Sequence, residues 1–408
     1  MAMTFVYVLF IVLAIIGSVF FDKRNGYGPY KLLAYRSLYL LLICIVGFSY
    51  GLGGDKFAYM GYFEHYQDNF EDVFGAIAYE FVRMGFMPLW TLLCLTVKST
   101  VDSFYVLQFV LALLVNIPIC EVVRKHTDHG FIFLLLYFVS EVFFQFNTEV
   151  MREGPAIAFG LLAIENYLNG KKGKYCLWTM LALGFHLSAA VLLVVPFIRR
   201  LQLTRRNMLI ILGGTIVAWL LSDKVLLPVL SYFLNHNIDV LGQKMITYTT
   251  IQTTFFGFLR SFLSIMVLPI TATYFNRRLL VNEQENHYRE YMTALLVLLA
   301  FIGCTFPGFT RFFNYVQIFY LLMLTDLIYS LFATKLHFIF RLGTIVGAFA
   351  FWIWYDITYW PENDFRFYQF FVPYTCIINE SEDVFFRQDA YYEVCDYSFY
   401  EDRIYEAE

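Results

Sequence analysis

Long apolar runs separated by short polar segments dominate the pattern of residues along the chain. A helix needs about 20 apolar residues to cross the ~30 Å hydrocarbon layer of a bilayer. Runs of this kind lie near residues 4–21, 31–50, 101–122, 130–148, 154–169, 207–222, 255–275, 291–306, 311–332 and 335–355. The pattern predicts an all-α polytopic membrane protein with about ten transmembrane helices within residues 1–355.

A further apolar segment, residues 175–198, is flanked by basic residues at both ends. Positively charged loops stay on the cytoplasmic side, so a complete crossing would carry the arginines of 199–206 to the wrong side. A pair of short helices avoids this conflict if the chain breaks near Gly184, Phe185 and His186 and returns to the cytoplasmic side. Such a break within the membrane requires that protein or a water-filled cavity surrounds it. We favour this re-entrant helical hairpin over a single crossing.

The basic residues also predict the orientation of the chain. No Lys or Arg precedes the first apolar run, whereas Lys23 and Arg24 follow it, which places the N-terminus outside the cytoplasm. Counting the spans then places residues 51–86 in the first large outside loop and residues 356–408 in an acidic extracytoplasmic C-terminal tail. In such an oxidising compartment Cys376 and Cys395 either form a disulfide or remain free thiols.

Composition narrows the classes of function. Of the 408 residues, 59% are hydrophobic and 15% are charged, against roughly 45–50% and 25% in soluble domains, which excludes a soluble protein. A net charge of −4 without a basic domain excludes nucleic acid as a partner. The seven cysteines contain no CxxC pair and no Cys/His cluster, so we expect no metal site.

Polar residues inside the apolar runs are candidates for function, because burying them in lipid is costly. The fourth span carries a polar stripe whose spacing predicts one helical face, formed by Glu141, Gln145, Thr148 and Arg152. The stripe runs from the middle of the membrane to its outer surface. Arg152 there either binds an anion or forms an ion pair with Glu149 or Glu153 that orients two helices.

Two more arginines lie in the outer half of the predicted bundle. Thr310 is positioned to cap a helix that carries Arg311 and Asn314, and Arg260 lies about one turn inside the outer end of its span. Several arginines in an apolar bundle require an anion or carboxylates, and a guanidinium is the group best shaped for phosphate. Snorkelling to the interface is the alternative, above all for Arg260.

The first outside loop begins with three glycines among residues 51–54, followed by Asp55 and then by Tyr59 and Tyr62. Aromatic rings near carboxylates are typical of sugar sites, although an interfacial aromatic belt explains the tyrosines equally well. His186 is the histidine deepest in apolar sequence. It is either a proton carrier or a histidine that a backbone carbonyl satisfies.

Several of these segments together resemble the EpsG family of Wzy-like bacterial polysaccharide polymerases. Residues 151–158, Met-Arg-Glu-Gly-Pro-Ala-Ile-Ala, are similar to the Arg-Gln-Gly-Ile-Ala signature of that family. The other similar features are the basic loop 170–174 followed by Phe-His-Leu-Ser-Ala at 185–189, Gly54-Asp55 with Tyr59, Val372-Pro373-Tyr374 and Arg311. Glu153 replaces the usual glutamine, and the family's Glu-Pro-Gly before the third span is reduced to Met87-Pro88-Leu89-Trp90.

The resemblance implies a fold of the GT-C-like membrane glycosyltransferase/polymerase class in the bacterial inner (plasma) membrane. It also implies metal-independent inverting glycosyl transfer on the outer face, without a cofactor. Lipid-linked repeat units on undecaprenyl diphosphate would be joined into an exopolysaccharide, capsule or O-antigen. The implied partners are this lipid-linked oligosaccharide, membrane lipid, and a chain-length regulator and a flippase of the same pathway.

The resemblance and the polar residues described above together suggest which side chains bind the substrate and which act as a base. The residues expected to bind the diphosphate are Arg152, Arg311 and Arg260. The candidate bases are Asp55, Glu149 and His186, with Asp55 first. The residues expected to contact the glycan are Tyr59, Tyr62 and Asn314. We expect Arg152 and Arg311 to approach each other at an outward-facing cavity.

The alternative from another class is a transporter or flippase for the same lipid-linked glycan, because it too must hold a diphosphate and sugars. Transporters often contain inverted repeats and bind their substrates near the middle of the membrane. This sequence shows no internal repeat, and its charges favour the outer half of the bundle. The sequence therefore favours the enzyme.

Overall fold

The computed structural model describes residues 5–22, 26–66, 72–198, 204–222, 254–270, 283–332, 370–378 and 387. Within these ranges every regular element is a helix, apart from one isolated antiparallel bridge between Ser49 and Cys376. The predicted all-α class is therefore confirmed for the described part of the chain.

The α-helices are numbered in chain order. They are α1 (Phe5–Phe21), α2 (Pro29–Gly47), α3 (Lys56–Glu64), α4 (Val73–Met84), α5 (Pro88–Thr100), α6 (Phe104–His126), α7 (Gly130–Val139), α8 (Glu141–Phe144), α9 (Glu153–Leu168), α10 (Lys172–Phe185), α11 (Val195–Ile198), α12 (Arg205–Leu221), α13 (Phe255–Ser261), α14 (Glu283–Thr305) and α15 (Asn314–Phe332). Gln145–Glu149 and Phe262–Val267 are π-helical, and Leu187–Val194 and Pro307–Phe313 are 3-10 helices.

Four described helices are long and apolar enough to cross a membrane. They are Pro29–Gly47, Phe104–His126, Tyr288–Thr305 and Phe309–Tyr329, and each coincides with a predicted span. A fifth span is possible in Gly130–Val139 together with Val142–Glu149, which form a bent pair. Several long apolar helices indicate a multi-pass membrane protein.

The other predicted spans correspond to shorter helices or lie outside the described residues. The span 154–169 becomes α9, which has 16 residues, and the spans 4–21, 207–222 and 255–275 become apolar helices of 10–17 residues. At ~1.5 Å per residue such helices are shorter than the hydrocarbon layer. The structure therefore supports four to five of the ten predicted spans, and the span 335–355 falls outside the described part.

The fourth predicted span is not one straight helix. The axis bends by 80° between Gly130–Val139 and Val142–Glu149, and Gln145–Glu149 is π-helical. Asn147 lies in this π-helix, where it accepts a hydrogen bond from Asn116 at 2.7 Å and donates one to the Phe143 carbonyl at 2.7 Å.

The prediction that Glu141, Gln145, Thr148 and Arg152 share one face of an α-helix is therefore wrong. A π-helix has more residues per turn than an α-helix, and Arg152 lies in the turn that follows it.

The segment 175–198 breaks where the sequence predicted. Helix α10 ends at Phe185, and a 3-10 helix begins at Leu187 on the other side of His186. Whether this segment crosses the membrane stays a prediction.

The chain divides into two compact units. The first contains the residues up to Ala158, the short segment Gly184–His186 and the described segments near the C-terminus. In it α2 packs on α6 and α1 packs on α7. The second contains Phe159–Leu183 and the described residues between Leu187 and Lys335. There α14 packs on the 3-10 helix Pro307–Phe313, and Arg289 forms an ion pair with Asp326 of α15.

Candidate functional site

A glycine-rich turn after α2 is fixed to the end of the bent span by one carboxylate. Glu149 Oε1 accepts a hydrogen bond from the Gly54 amide at 2.8 Å, and Oε2 accepts one from the Asp55 amide at 2.9 Å. The Thr148 hydroxyl, which donates to the Phe144 carbonyl at 2.7 Å, also lies 3.2 Å from Oε1. Glu149 therefore holds the backbone that presents Asp55.

This close approach requires glycine at position 53. Gly53 has a φ of +97°, and a Cβ atom there would lie 2.6 Å from Thr148 Cβ and 2.9 Å from Glu149 Oε1. Both distances are shorter than van der Waals contact. A side chain at this position would therefore push the turn away from Glu149.

Asp55 lies immediately before the first residue of α3 and is half-buried. Its carboxylate is close enough to Glu149 to interact with it electrostatically. The Glu149 oxygens point at the backbone amides of the turn, which suits a structural anchor better than a proton acceptor for a substrate. The role of Asp55 as a base stays a prediction from the sequence.

Arg152 lies against aromatic rings. Its guanidinium lies 4.4 Å from the centroid of the Phe86 ring and 5.7 Å from that of Tyr59, both within the range of cation–π attraction. Its Nε is buried and has no hydrogen-bond partner among the described residues. The Tyr59 side chain hydrogen-bonds to the Arg152 guanidinium, and the buried Nε still has capacity to donate to an anion. The alternative that the sequence left open, an ion pair of Arg152 with Glu149 or Glu153, stays a prediction.

An aromatic shell continues from Arg152 into α5. Tyr62 packs edge-on against Phe86 at 5.3 Å, and Tyr59 packs edge-on against Trp90 at 5.5 Å. Trp90 is 1% exposed, and its indole Nε1 lacks a hydrogen-bond partner among the described residues. Sequence reasoning did not identify Phe86 or Trp90 as site residues, although Pro88 and Trp90 stood in the segment compared with the family's Glu-Pro-Gly.

A buried lysine lies behind the turn. Lys56 is fully buried in α3, and its Nζ donates to the Ser49 carbonyl at 3.3 Å and to the Ser49 hydroxyl at 3.4 Å. Burial and, to a smaller extent, the charge of Arg387 lower the pKa of Lys56 to about 7, while the charge of Glu149 acts in the opposite direction. No sequence pattern pointed to this residue, because lysines at helix starts are usually solvated.

Residues near the C-terminus support the turn from its other side. The Gly53 amide donates to the Phe370 carbonyl at 3.1 Å, and the Tyr50 amide donates to the Thr375 carbonyl at 2.9 Å. Arg387, which is buried, donates to the Thr375 hydroxyl at 2.9 Å and also to the Gly51 and Pro373 carbonyls. We call residues 370–378 and Arg387 the C-terminal brace. The sequence predicted only an acidic extracytoplasmic tail for this part of the chain.

The structure brings together only part of the predicted site. The predicted site residues that meet in the first unit are Asp55, Tyr59, Tyr62, Glu149 and Arg152. His186, half-buried, is grouped with the same unit and lies at the break after α10. Those in the second unit are Arg260, Arg311 and Asn314. The approach of Arg152 to Arg311 stays a prediction from the sequence.

The second-unit residues occupy helix ends. Arg260 is exposed near the end of α13, and Arg311 is exposed within the 3-10 helix Pro307–Phe313. Asn314 is the first residue of α15 and is buried. The prediction that Thr310 caps the helix is wrong, because the 3-10 helix begins earlier, with Phe306 at its N-cap.

Comparison with known proteins assigns the chain to a family. The sequence model of the EpsG family matches residues 32–376, a range that contains the glycine-rich turn, Arg152 and most of the segment 370–378. No curated protein and no solved structure matches the chain. Because the family match covers most of the 408 residues, the chain belongs to the EpsG family, and this membership indicates a role in polysaccharide synthesis.

Proposed function

We propose that this protein polymerises lipid-linked oligosaccharide repeat units by metal-independent inverting glycosyl transfer on the outer face of the membrane. The donor is a glycan on undecaprenyl diphosphate, and the acceptor is a second lipid-linked repeat unit. The observation that carries this proposal is Arg152, an arginine set among aromatic rings, with a buried Nε that has no described hydrogen-bond partner. It lies beside a turn that presents a carboxylate.

In this proposal Arg152 binds the diphosphate of the donor. A guanidinium can form two parallel hydrogen bonds to phosphate oxygens, and the rings of Phe86 and Tyr59 limit its access to water. An ion pair is stronger where water is excluded. The charge that develops on the leaving diphosphate is therefore stabilised most in the transition state.

Asp55 accepts the proton of the acceptor hydroxyl in the proposed reaction. The hydroxyl oxygen forms the new bond to the anomeric carbon from the face opposite the diphosphate. The bond between that carbon and the diphosphate oxygen breaks, and its electron pair leaves with the diphosphate. One bond forms and one breaks, and the configuration at the anomeric carbon is inverted. Glu149 positions Asp55 through the two backbone amides, and Tyr59 and Tyr62 provide ring faces for the acceptor sugar.

The proposal is tested with purified protein in proteoliposomes that contain purified lipid-linked repeat units. We expect Asp55→Asn to bind the substrate with a Kd near that of the parent, while polymer formation falls about 100-fold or more. Arg152→Lys should weaken binding, because an ammonium is a point charge that cannot reproduce the paired hydrogen bonds. Glu64→Gln is the matched control, since Glu64 is exposed at the end of the same helix α3.

A flippase also needs an anion site, but it needs no base. If the Asp55→Asn protein polymerises at the parental rate, Asp55 is not the base. If the parent protein forms no polymer but moves the lipid-linked unit across the bilayer, the enzyme proposal is overturned in favour of the flippase.

A further inference from the structure

Helix α4 has an unusual distribution of exposed side chains. Its exposed large residues are Phe74, Tyr79, Phe81 and Val82, with Phe74 87% and Val82 72% exposed. Ala78 is exposed between them, so positions 74, 78, 81 and 82 form one apolar face at helical spacing. Glu80 and Arg83 are less exposed than these apolar neighbours. The helix therefore presents its apolar face outward, the reverse of a helix that faces water.

The length and the ends of α4 show that it does not span the membrane. Its 12 residues extend over ~18 Å, well below the ~30 Å that a crossing requires. Asp72 caps its start by accepting a hydrogen bond from the Gly75 amide at 2.8 Å, and Gly85, with a φ of +65°, ends it. A short, capped helix with an apolar outer face and few charges fits a position in the plane of a membrane interface.

The end of α4 leads directly to the Arg152 site. Gly85 turns the chain into Phe86, whose ring lies under the Arg152 guanidinium at 4.4 Å and against Tyr62 at 5.3 Å. The apolar helix and the anion-binding arginine are therefore joined by a single turn. An anion held at Arg152 lies close to whatever hydrocarbon covers α4.

We propose that α4 lies in the outer leaflet of the membrane, with its exposed apolar face covered by the hydrocarbon of membrane lipids. The occupant of this face is the lipid leaflet. This position keeps Phe86 and Arg152 at the level of the lipid headgroups. A lipid-linked diphosphate then reaches Arg152 by lateral diffusion, without leaving the leaflet. This last step rests on the proposed function, whereas the position of α4 does not.

Site-specific photo-crosslinking tests the position of α4. The photoreactive residue p-benzoylphenylalanine replaces Phe74 or Val82 in full-length protein, which is reconstituted in vesicles of phosphatidylethanolamine and phosphatidylglycerol and irradiated. We expect covalent phospholipid adducts at both positions, identified by mass spectrometry. The control position is His65, which is exposed at the end of α3, and there we expect no lipid adduct.

Each other result overturns the proposal. Cross-links between two copies of the chain would mean that α4 is a protein interface. Cross-links to another segment of the same chain would mean that the face is covered internally. Equal lipid labelling at His65 and Phe74 would mean that α4 is no closer to the lipid hydrocarbon than the end of α3 is. Polymer formation is measured on the same samples. A failure of the proposed function then appears as an absence of polymer, whereas a failure of the proposed position of α4 appears in the cross-links.

Discussion

Gly53 determines how closely the turn before Asp55 can approach Glu149. Replacing it by alanine adds a methyl group where Thr148 and Glu149 leave less than 3 Å, at a φ that non-glycine residues rarely adopt. We expect Gly53→Ala to cost about 1–3 kcal/mol of stability and to reduce polymer formation, because Asp55 moves away from its anchor.

Gly61→Ala is the control for this prediction, because Gly61 lies in α3 with no atom within 4 Å of an added Cβ. Both variants are compared by thermal unfolding in detergent and by polymer yield in proteoliposomes. Equal yields from Gly53→Ala and Gly61→Ala would contradict the proposed link between the turn and catalysis.

Lys56 makes the stability of the first unit depend on pH. Burial lowers its pKa to about 7 in the folded protein, whereas the pKa of an unfolded lysine is about 10.4. Between these values the unfolded state binds a proton that the folded state does not. Stability due to this group therefore rises with pH across that window, by about 1.4 kcal/mol per pH unit at most, and is insensitive to pH below about 7.

Lys56→Met removes this titration, so the parent should gain stability relative to the variant as the pH rises from about 7 to about 9. Unfolding in detergent at several pH values measures the difference between the two proteins. Parallel curves would show that Lys56 is solvated and that its burial does not govern its ionisation.

The helices were predictable where a long apolar run determines them. Pro29–Gly47 and Phe104–His126 are long uninterrupted apolar runs, and the sequence placed both within a few residues. The bend between Gly130–Val139 and Val142–Glu149 was not predictable, since side-chain contacts such as that between Asn116 and Asn147 accompany it. These two residues lie 31 positions apart, and no local pattern links them.

The segment Lys172–Ile198 gives a prediction about membrane topology. Helix α10 ends beside His186, and basic residues flank both ends of the segment, so we expect the segment to re-enter on the side from which it started. Single cysteines replace Lys172 or Arg206, both exposed, in a chain whose native cysteines are serines. An impermeant thiol reagent should label both from the same side. Labelling from opposite sides would establish a complete crossing.

Across the whole molecule, the sequence identified the local parts of the candidate site and missed the distant ones. Asp55 was identifiable because it follows glycines directly above an apolar run, and Arg152 because it follows polar residues in an otherwise apolar run, where such residues are rare. Phe86 and Trp90 were not distinguishable in a chain with 20% aromatic residues. Arg387 lies in an acidic segment without periodicity, so only the folded structure reveals that it contacts Gly51.

The C-terminal brace also determines when the site can form during synthesis. Tyr50 and Thr375 are 325 positions apart, and a ribosome adds about 5–20 residues per second. The first helices therefore leave the ribosome roughly 15–65 seconds before the brace exists. Through that interval the nascent chain carries Asp55 on a turn that lacks its contacts with the C-terminal brace. The protein thus enters the membrane without a finished site, which can form only after residues 370–387 have been synthesised.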